Sequence, residues 1–239
     1  MAYPHTALRI ALNLLAIETS TEYLSLAVSR GDALFETNLL AGQRHAEMIF
    51  DEVRKLLAQA GLALADIGGI AYGRGPGSFT GLRVACGVTQ GLAFALGIRV
   101  QGVITLEAIA QAAYADSGAD QVIACIDARM GEVYHAAYRR EGATWTEVLA
   151  PGLYDPAAVP DISGTGWTGC GTGFAAHAAL LGERYATVMT AVRPELVPTA
   201  RAGIALARPL FDAGPGDLPA DALPLYIRDK VALKKSERI

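Results

Sequence analysis

Apolar positions along this chain follow two periods. Residues 43–61, QRHAEMIFDEVRKLLAQAG, place apolar side chains at 46, 49, 50, 53, 56, 57 and 60. That is the three-to-four spacing of one helical face, and Gly61 marks its stop. Residues 12–20, LNLLAIETS, form a short continuous apolar run ending in hydroxyls, as a buried strand does. Residues 23–40, YLSLAVSRGDALFETNLL, alternate on either side of Gly31 and Asp32, which predicts a hairpin. Residues 67–77 read as a strand breaking into a glycine loop, and 78–97 as a helix with Ser78 as its N-cap. Strand, hairpin, helix, strand, helix is the content of one α/β lobe.

The pattern then starts again. Residues 98–103 read as a strand, 105–115 as a helix opened by Thr105, and 121–140 as two strands joined through Gly131. A Gly/Pro-rich run covers 150–173, a helix is expected at 173–182, and 208–230 reads as a Pro/Gly-rich tail with one short strand. Two lobes of similar content suggest a duplication, with 8–104 forming the first lobe and 105–232 the second. The tail would pack back on the first.

Composition narrows the function. At 239 residues and 52% hydrophobic, the chain can fill one large domain or two small lobes. A formal charge of −4, with no basic run longer than two residues, argues against gripping nucleic acid by its own charge. Cys86, Cys125 and Cys170 lie far apart without a Cys-x-x-Cys pair and read as buried small side chains. No stretch approaches the roughly 20 apolar residues of a membrane span, and the N-terminus reads as a short leader into the first strand. His5, His45, His135 and His177 lack metal-ligand spacing, and His45 reads as a surface or capping residue. No Gly-x-Ser-x-Gly elbow is present.

The candidate chemistry lies in loops. YGRGPGSFTGLR (72–83) crowds Gly73, Gly75, Gly77 and Gly81 around Pro76, yet it is neither a Walker loop nor a dinucleotide fingerprint. Helix N–H groups behind it suit an anion, but spacing alone favours a rigid strand-to-helix turn. IETST (17–21) offers Glu18, Thr19 and Ser20 either to a ligand or to the turn itself. TGCGTG (168–173), with Gly171 and Gly173, is its possible counterpart in the second lobe. In DARMGEV (127–133), Asp127 could be a base or hold magnesium, and a local Asp127–Arg129 pair bracing the hairpin is the simpler reading. In helix 78–96 the residues Gly87, Gly91 and Ala95 form a smooth stripe, while Leu82, Val84, Val88, Leu92, Phe94 and Leu96 leave little polar surface. Such a helix is expected to be buried nearly all round, with another helix close against it, from its own lobe or from a second subunit.

IETS (17–20), RHAE (44–47), GRGPGSFTGLRVA (73–85), TLEAIA (105–110), DARMGEVY (127–134) and PLYIRDKVAL (224–233) occur in one order over nearly the whole chain. Together they resemble the TsaB (YeaZ-type) family of the actin/sugar-kinase-type ATPase superfamily. The Gly-Pro-Gly-Ser-Phe-Thr-Gly-Leu-Arg block is the most specific of them. The resemblance implies an α/β, two-lobed actin-like ATPase (duplicated ribonuclease-H-like) fold. It implies a non-catalytic subunit for threonylcarbamoylation of N6 of adenosine 37 in tRNAs reading codons that begin with A. Such a subunit pairs with a catalytic TsaD homologue, is joined by a TsaE-type ATPase, and meets tRNA only through the complex, in the cytoplasm.

The His-x-x-x-His metal pair of TsaD has no counterpart in VITLEAIA (103–110), so no metal is expected. The superfamily's first phosphate loop has an Asp and a Gly. Here Glu18 replaces the acid and the glycine is missing, so ATP or ADP held by Glu18, Thr19, Ser20, Gly171 and Gly173 would occupy a weak, vestigial site. Ala85 and Cys86 stand where most relatives have a glycine, which should narrow the helix stripe. The expected interface joins helices 43–60 and 78–96 to the same helices of a second copy or of the TsaD homologue. It would use Ala46, Ile49, Phe50, Val53, Leu82, Val84, Gly87, Val88, Gly91 and Ala95. An ATP-dependent kinase or hydrolase using Glu18, Ser20 and Asp127 stays open as the alternative.

Overall fold

The computed structural model describes residues 12–228. His5 and the start of the expected leader lie outside the described residues, as do the last residues of the expected tail. Strands β1 (Leu14–Glu18), β2 (Tyr23–Arg30) and β3 (Ala33–Leu40) are followed by helix α1 (His45–Ala60), β4 (Gly69–Gly75), α2 (Phe79–Leu96) and β5 (Arg99–Ile104). They form a sheet of order β3-β2-β1-β4-β5, with β1, β4 and β5 parallel and the β1–β2–β3 meander antiparallel.

The second half repeats this plan. After α3 (Thr105–Ser117) come β6 (Gln121–Arg129), β7 (Glu132–Glu141), β8 (Thr144–Tyr154), β9 (Trp167–Cys170), α4 (Thr172–Ala176), α5 (Ala178–Arg184) and β10 (Met189–Arg193). The sheet order is β10-β9-β6-β7-β8, again a meander with two parallel strands on its far side. The chain then returns to the first lobe as α6 (Ala200–Ala213).

Each sheet buries both faces. On the first, Leu15, Ile17, Leu26 and Tyr72 meet Ile49, Val53, Leu56 and Ala85 of α1 and α2. The other face sets Leu14, Ala16 and Ala71 against Ala202, Ile204, Ala207 and Phe211 of α6, with Ala108 of α3. The opposite side of α3, through Leu106, Ile109 and Ala113, packs on Val122, Ala124 and Tyr138 of the second sheet. The far face of that sheet is closed by Phe174, Leu181 and Tyr185. Thus α3 is shared by both lobes.

Several expectations are corrected. The segment read as a tail from 208 belongs in part to α6, which continues through Pro209. The missing N–H of Pro209 leaves out one helical hydrogen bond, while buried Ile204, Ala207 and Phe211 hold that face on the sheet. The Gly/Pro-rich run at 150–173 contains the end of β8 and all of β9. The helix expected at 173–182 is broken at His177 into α4 and α5. His45 is buried, with Nε2 3.2 Å from Tyr23 O, and is not a surface residue.

Candidate functional site

The two N-terminal loops interlock. Ser78 N donates to Ser20 O (2.7 Å), and Thr19 Oγ1 donates to Gly81 O (2.8 Å). A side chain at Gly77 would run into the Ser20 backbone, and one at Gly81 into Thr19 O. These glycines therefore serve close approach of two backbones. Ser78 Oγ accepts from Gly81 N (3.3 Å), capping α2 as its sequence predicts. With Ser78 N and Gly81 N already used, much of the anion-binding capacity of this helix start is taken up internally. The glycine block is chiefly a clamp on residues 18–20.

Glu18 is part of that clamp. It is only 4% exposed, and its Oε1 accepts from Ser20 N (2.6 Å). Burial pushes its carboxyl above the ordinary value of 4.5, against the opposing effect of hydrogen bonds from Ser20 and Thr19. Of the three expected loop residues, Ser20 alone lines the cleft between the lobes, a space of about 1270 Å³. Ser78 stands on the same wall, and Asp127 and Thr172 line the other. Gly171 and Gly173 are absent from that lining: a side chain at either would meet Cys125. They bring α4 tightly onto β6. Between them, Thr172 Oγ1 accepts from Asp127 N (3.2 Å). The Asp127 carboxylate accepts from Arg129 N (2.9 Å) and from its guanidinium (3.1 Å), the hairpin brace. Among the described residues no three His, Cys, Asp or Glu side chains group as metal ligands.

Two other buried chemistries are sealed from solvent. His135 Nε2 lies 2.9 Å from Tyr185 Oη, which in turn donates to Pro160 O (2.8 Å). Tyr185 is thus left to accept from Nε2–H, and burial pushes the His135 pKa down to about 4. The three cysteines are free and buried, and desolvation raises all three thiols.

The outer face of α1 and α2 is the other candidate. It holds an open apolar groove of about 380 Å³, lined by Ala46, Phe50, Val84, Gly87, Val88 and Gly91, with Leu92 and Arg83 beside them. Phe50 is 52% exposed and Phe94 83% exposed. A side chain added at Gly87 or Gly91 would meet nothing within 4 Å, and Ala95 is likewise exposed. Helix α2 is therefore not buried nearly all round; one face packs on its sheet and the opposite face is bare. By length and composition it could cross a membrane, with a mean hydropathy of 1.3, but its core-facing side is fixed on the sheet.

The expected interface narrows accordingly. Ile49, Val53 and Leu82 are buried within the lobe itself and cannot also meet a partner. Ala85 and Cys86 also face the core, so they do not narrow the stripe. Sequence reasoning missed Arg83, whose guanidinium stacks 3.7 Å from the Phe79 ring centre and donates to Tyr226 Oη (3.1 Å). The Leu-Arg ending of the glycine block was its only signal, and its partner stands 143 residues away.

Two copies of one five-stranded plan, facing each other across a cleft, define a two-lobed protein of the actin-like ATPase class, a duplicated ribonuclease-H-like fold. The TsaD family, described as tRNA N6-adenosine threonylcarbamoyltransferase, matches residues 39–168. The Escherichia coli tRNA threonylcarbamoyladenosine biosynthesis protein TsaB is 37% identical over 94% of this chain and 98% of its own length. The Haemophilus influenzae protein of the same name is 34% identical over 94% and 97%. Among solved structures, YeaZ from Pseudomonas aeruginosa superposes with a TM-score of 0.80 at 37% identity, over 90% of this chain and 99% of that one. The chain belongs to the TsaB (YeaZ-type) family.

Proposed function

We propose that this chain acts in the biosynthesis of threonylcarbamoyladenosine on tRNA as a non-catalytic subunit. It pairs with a catalytic TsaD homologue through the exposed face of α1 and α2 and activates it. The relatives' names support the pathway. The observation that carries the pairing is the bare groove with Gly87 and Gly91 on its floor. Leaving apolar surface in water costs about 25 cal/mol per Å², and a glycine floor lets a partner helix approach closely enough for many dispersion contacts. Phe50, Val84, Val88 and Ala95 join the glycines as contact residues. A second copy of this chain would use the same face, so self-association and the TsaD pairing compete. A TsaE-type ATPase joins the pair, and tRNA in the cytoplasm is met through the complex.

ATP or ADP in the interlobe cleft is a secondary reading, favoured by the cleft's size and by Ser20 and Thr172 on its walls. The sealed carboxylate of Glu18 weighs against turnover by the chain alone. The deciding experiment combines purified chain, TsaD homologue, TsaE-type ATPase, ATP, threonine-derived donor and tRNA, and follows modified adenosine by mass spectrometry. Modification should require this chain and vanish with Gly91→Leu. Modification without the chain, or ATP hydrolysis by the chain alone at the rate of the full mixture, would overturn the proposal.

A further inference from the structure

The segment PLYIR (224–228) joins the two lobes by a path of its own. After α6 the chain lies on the first lobe, where Asp217 bridges Val100 and the buried Ala222 accepts from Gln90 Nε2 (3.1 Å). Leu225 N donates to Arg74 O (2.6 Å), and Leu225 O lies close to where a side chain at Gly75 would stand. Tyr226 packs its ring on Phe79 (centroids 5.4 Å apart) and accepts from Arg83 Nε. One residue later the chain is on the second lobe, with Ile227 against that lobe's core. Arg228 enters the turn between β6 and β7, where Nη2 donates to Glu132 Oε2 (2.6 Å) and Arg129 O (3.3 Å).

That turn gives the last contact its meaning. Arg129 and Met130 sit at φ 63° and 58°, the left-handed region that non-glycine residues rarely adopt. Such conformations persist where the surroundings over-determine them. Here the surroundings are the Asp127 carboxylate on one side and the Arg228 guanidinium, with its side chain only 12% exposed, on the other. Helix α3 packs on both sheets, and a turning of one lobe against the other would take place about it. The segment lines the cleft from Leu225 to Arg228, bonded to a lobe at each end.

We propose that residues 222–228 are a strap that sets the opening between the lobes, latched on the second lobe by the Arg228–Glu132 pair. The test uses the isolated full-length chain. Arg228→Ala and Glu132→Gln are compared with the charge exchange Glu132→Arg/Arg228→Glu by amide exchange in NMR and by the radius of gyration from X-ray scattering. Each single variant should speed exchange at the Leu225 amide and in the 129–132 turn by about tenfold or more, as expected for losing a charge-assisted hydrogen bond. It should also enlarge the radius of gyration, and the exchanged pair should restore that radius and the protection of Leu225, though not of the turn, since a carboxylate at 228 cannot donate to Arg129 O. Tyr226→Phe, which folds with the same ring packing, should loosen Leu225 and leave the turn unchanged. Unchanged Leu225 exchange in both single variants would overturn the strap. So would a uniform rise across both sheets, the sign of general destabilisation. Loosening at Leu225 and an enlarged radius of gyration that persist in the exchanged pair would overturn the latch.

Discussion

The carboxylate of Glu18 occupies the space that any side chain at Gly73 would need. The two residues stand on the neighbouring strands β1 and β4, and the contact explains why β4 carries a glycine at this position. Gly73→Ala should displace a buried carboxyl group from its bond to Ser20 N. The expected loss is about 2–3 kcal/mol in urea unfolding. A loss within error of zero would mean that Glu18 swings aside freely.

Glu18 also gives a pH signature. Because burial raises its pKa, the folded chain binds a proton there more readily than the unfolded one. The stabilising effect is complete below the ordinary carboxylate range and fades as pH rises through the folded pKa. Glu18→Gln carries no such charge. Its stability relative to wild type should improve as pH is raised above about 4.5, and a difference flat with pH would show an ordinary carboxyl.

His135 carries the opposite sign. Its pKa is pushed down to about 4, so below its ordinary range the unfolded chain takes up a proton that the folded chain refuses. Stability should fall by about 1.4 kcal/mol per pH unit between roughly 6.5 and 4 from this residue. His135→Gln should remove that slope in urea unfolding measured at successive pH values. An unchanged slope would assign the acid sensitivity elsewhere.

Gly91→Leu separates folding from pairing. The site is open and helical, so at concentrations where the wild type is unpaired leucine should raise the melting temperature through a helix-propensity gain of about 0.5–0.8 kcal/mol. By filling the groove, the same change should abolish association in sedimentation. Normal folding with wild-type association would move the interface away from this face.

Asp127→Ala addresses the alternative enzyme reading. Its carboxylate is engaged with Arg129, so the expected cost is about 1 kcal/mol of stability, with tRNA modification unchanged. Loss of modification in a stable, normally paired variant would make Asp127 catalytic.

Much of the fold was legible because burial leaves a period. Helices α1 and α2 and the β2–β3 hairpin follow from spacing, turn residues and the Ser78 cap. Helix α6 was hidden because Pro209 reads locally as a stop, whereas the sheet beneath it decides. The end of β8 was hidden by Pro151 and Gly152 in a strand whose residues are half-buried or exposed, with none fully buried to set a period. At the site, the spacing of α1 could not rank Ile49 against Phe50: both are apolar, and only the position of the sheet makes one fully buried and the other half exposed. Helix α2 posed the same problem, since apolar residues on every side look like complete burial even when one face is bare. The glycine block was ambiguous because a clamp on a backbone and a cradle for an anion require the same missing side chains.

Gly87 and Gly91 weaken α2 in a lone copy by about 1–2 kcal/mol relative to alanine. Under the proposed pairing, a partner offsets this only where one is present, so the thermal midpoint climbs with concentration. Copies with neither a TsaD homologue nor a second copy on this face are then the ones that open and meet proteases first. Two small residues on an exposed helix would in this way tie the abundance of one subunit to that of the other, without any dedicated regulator.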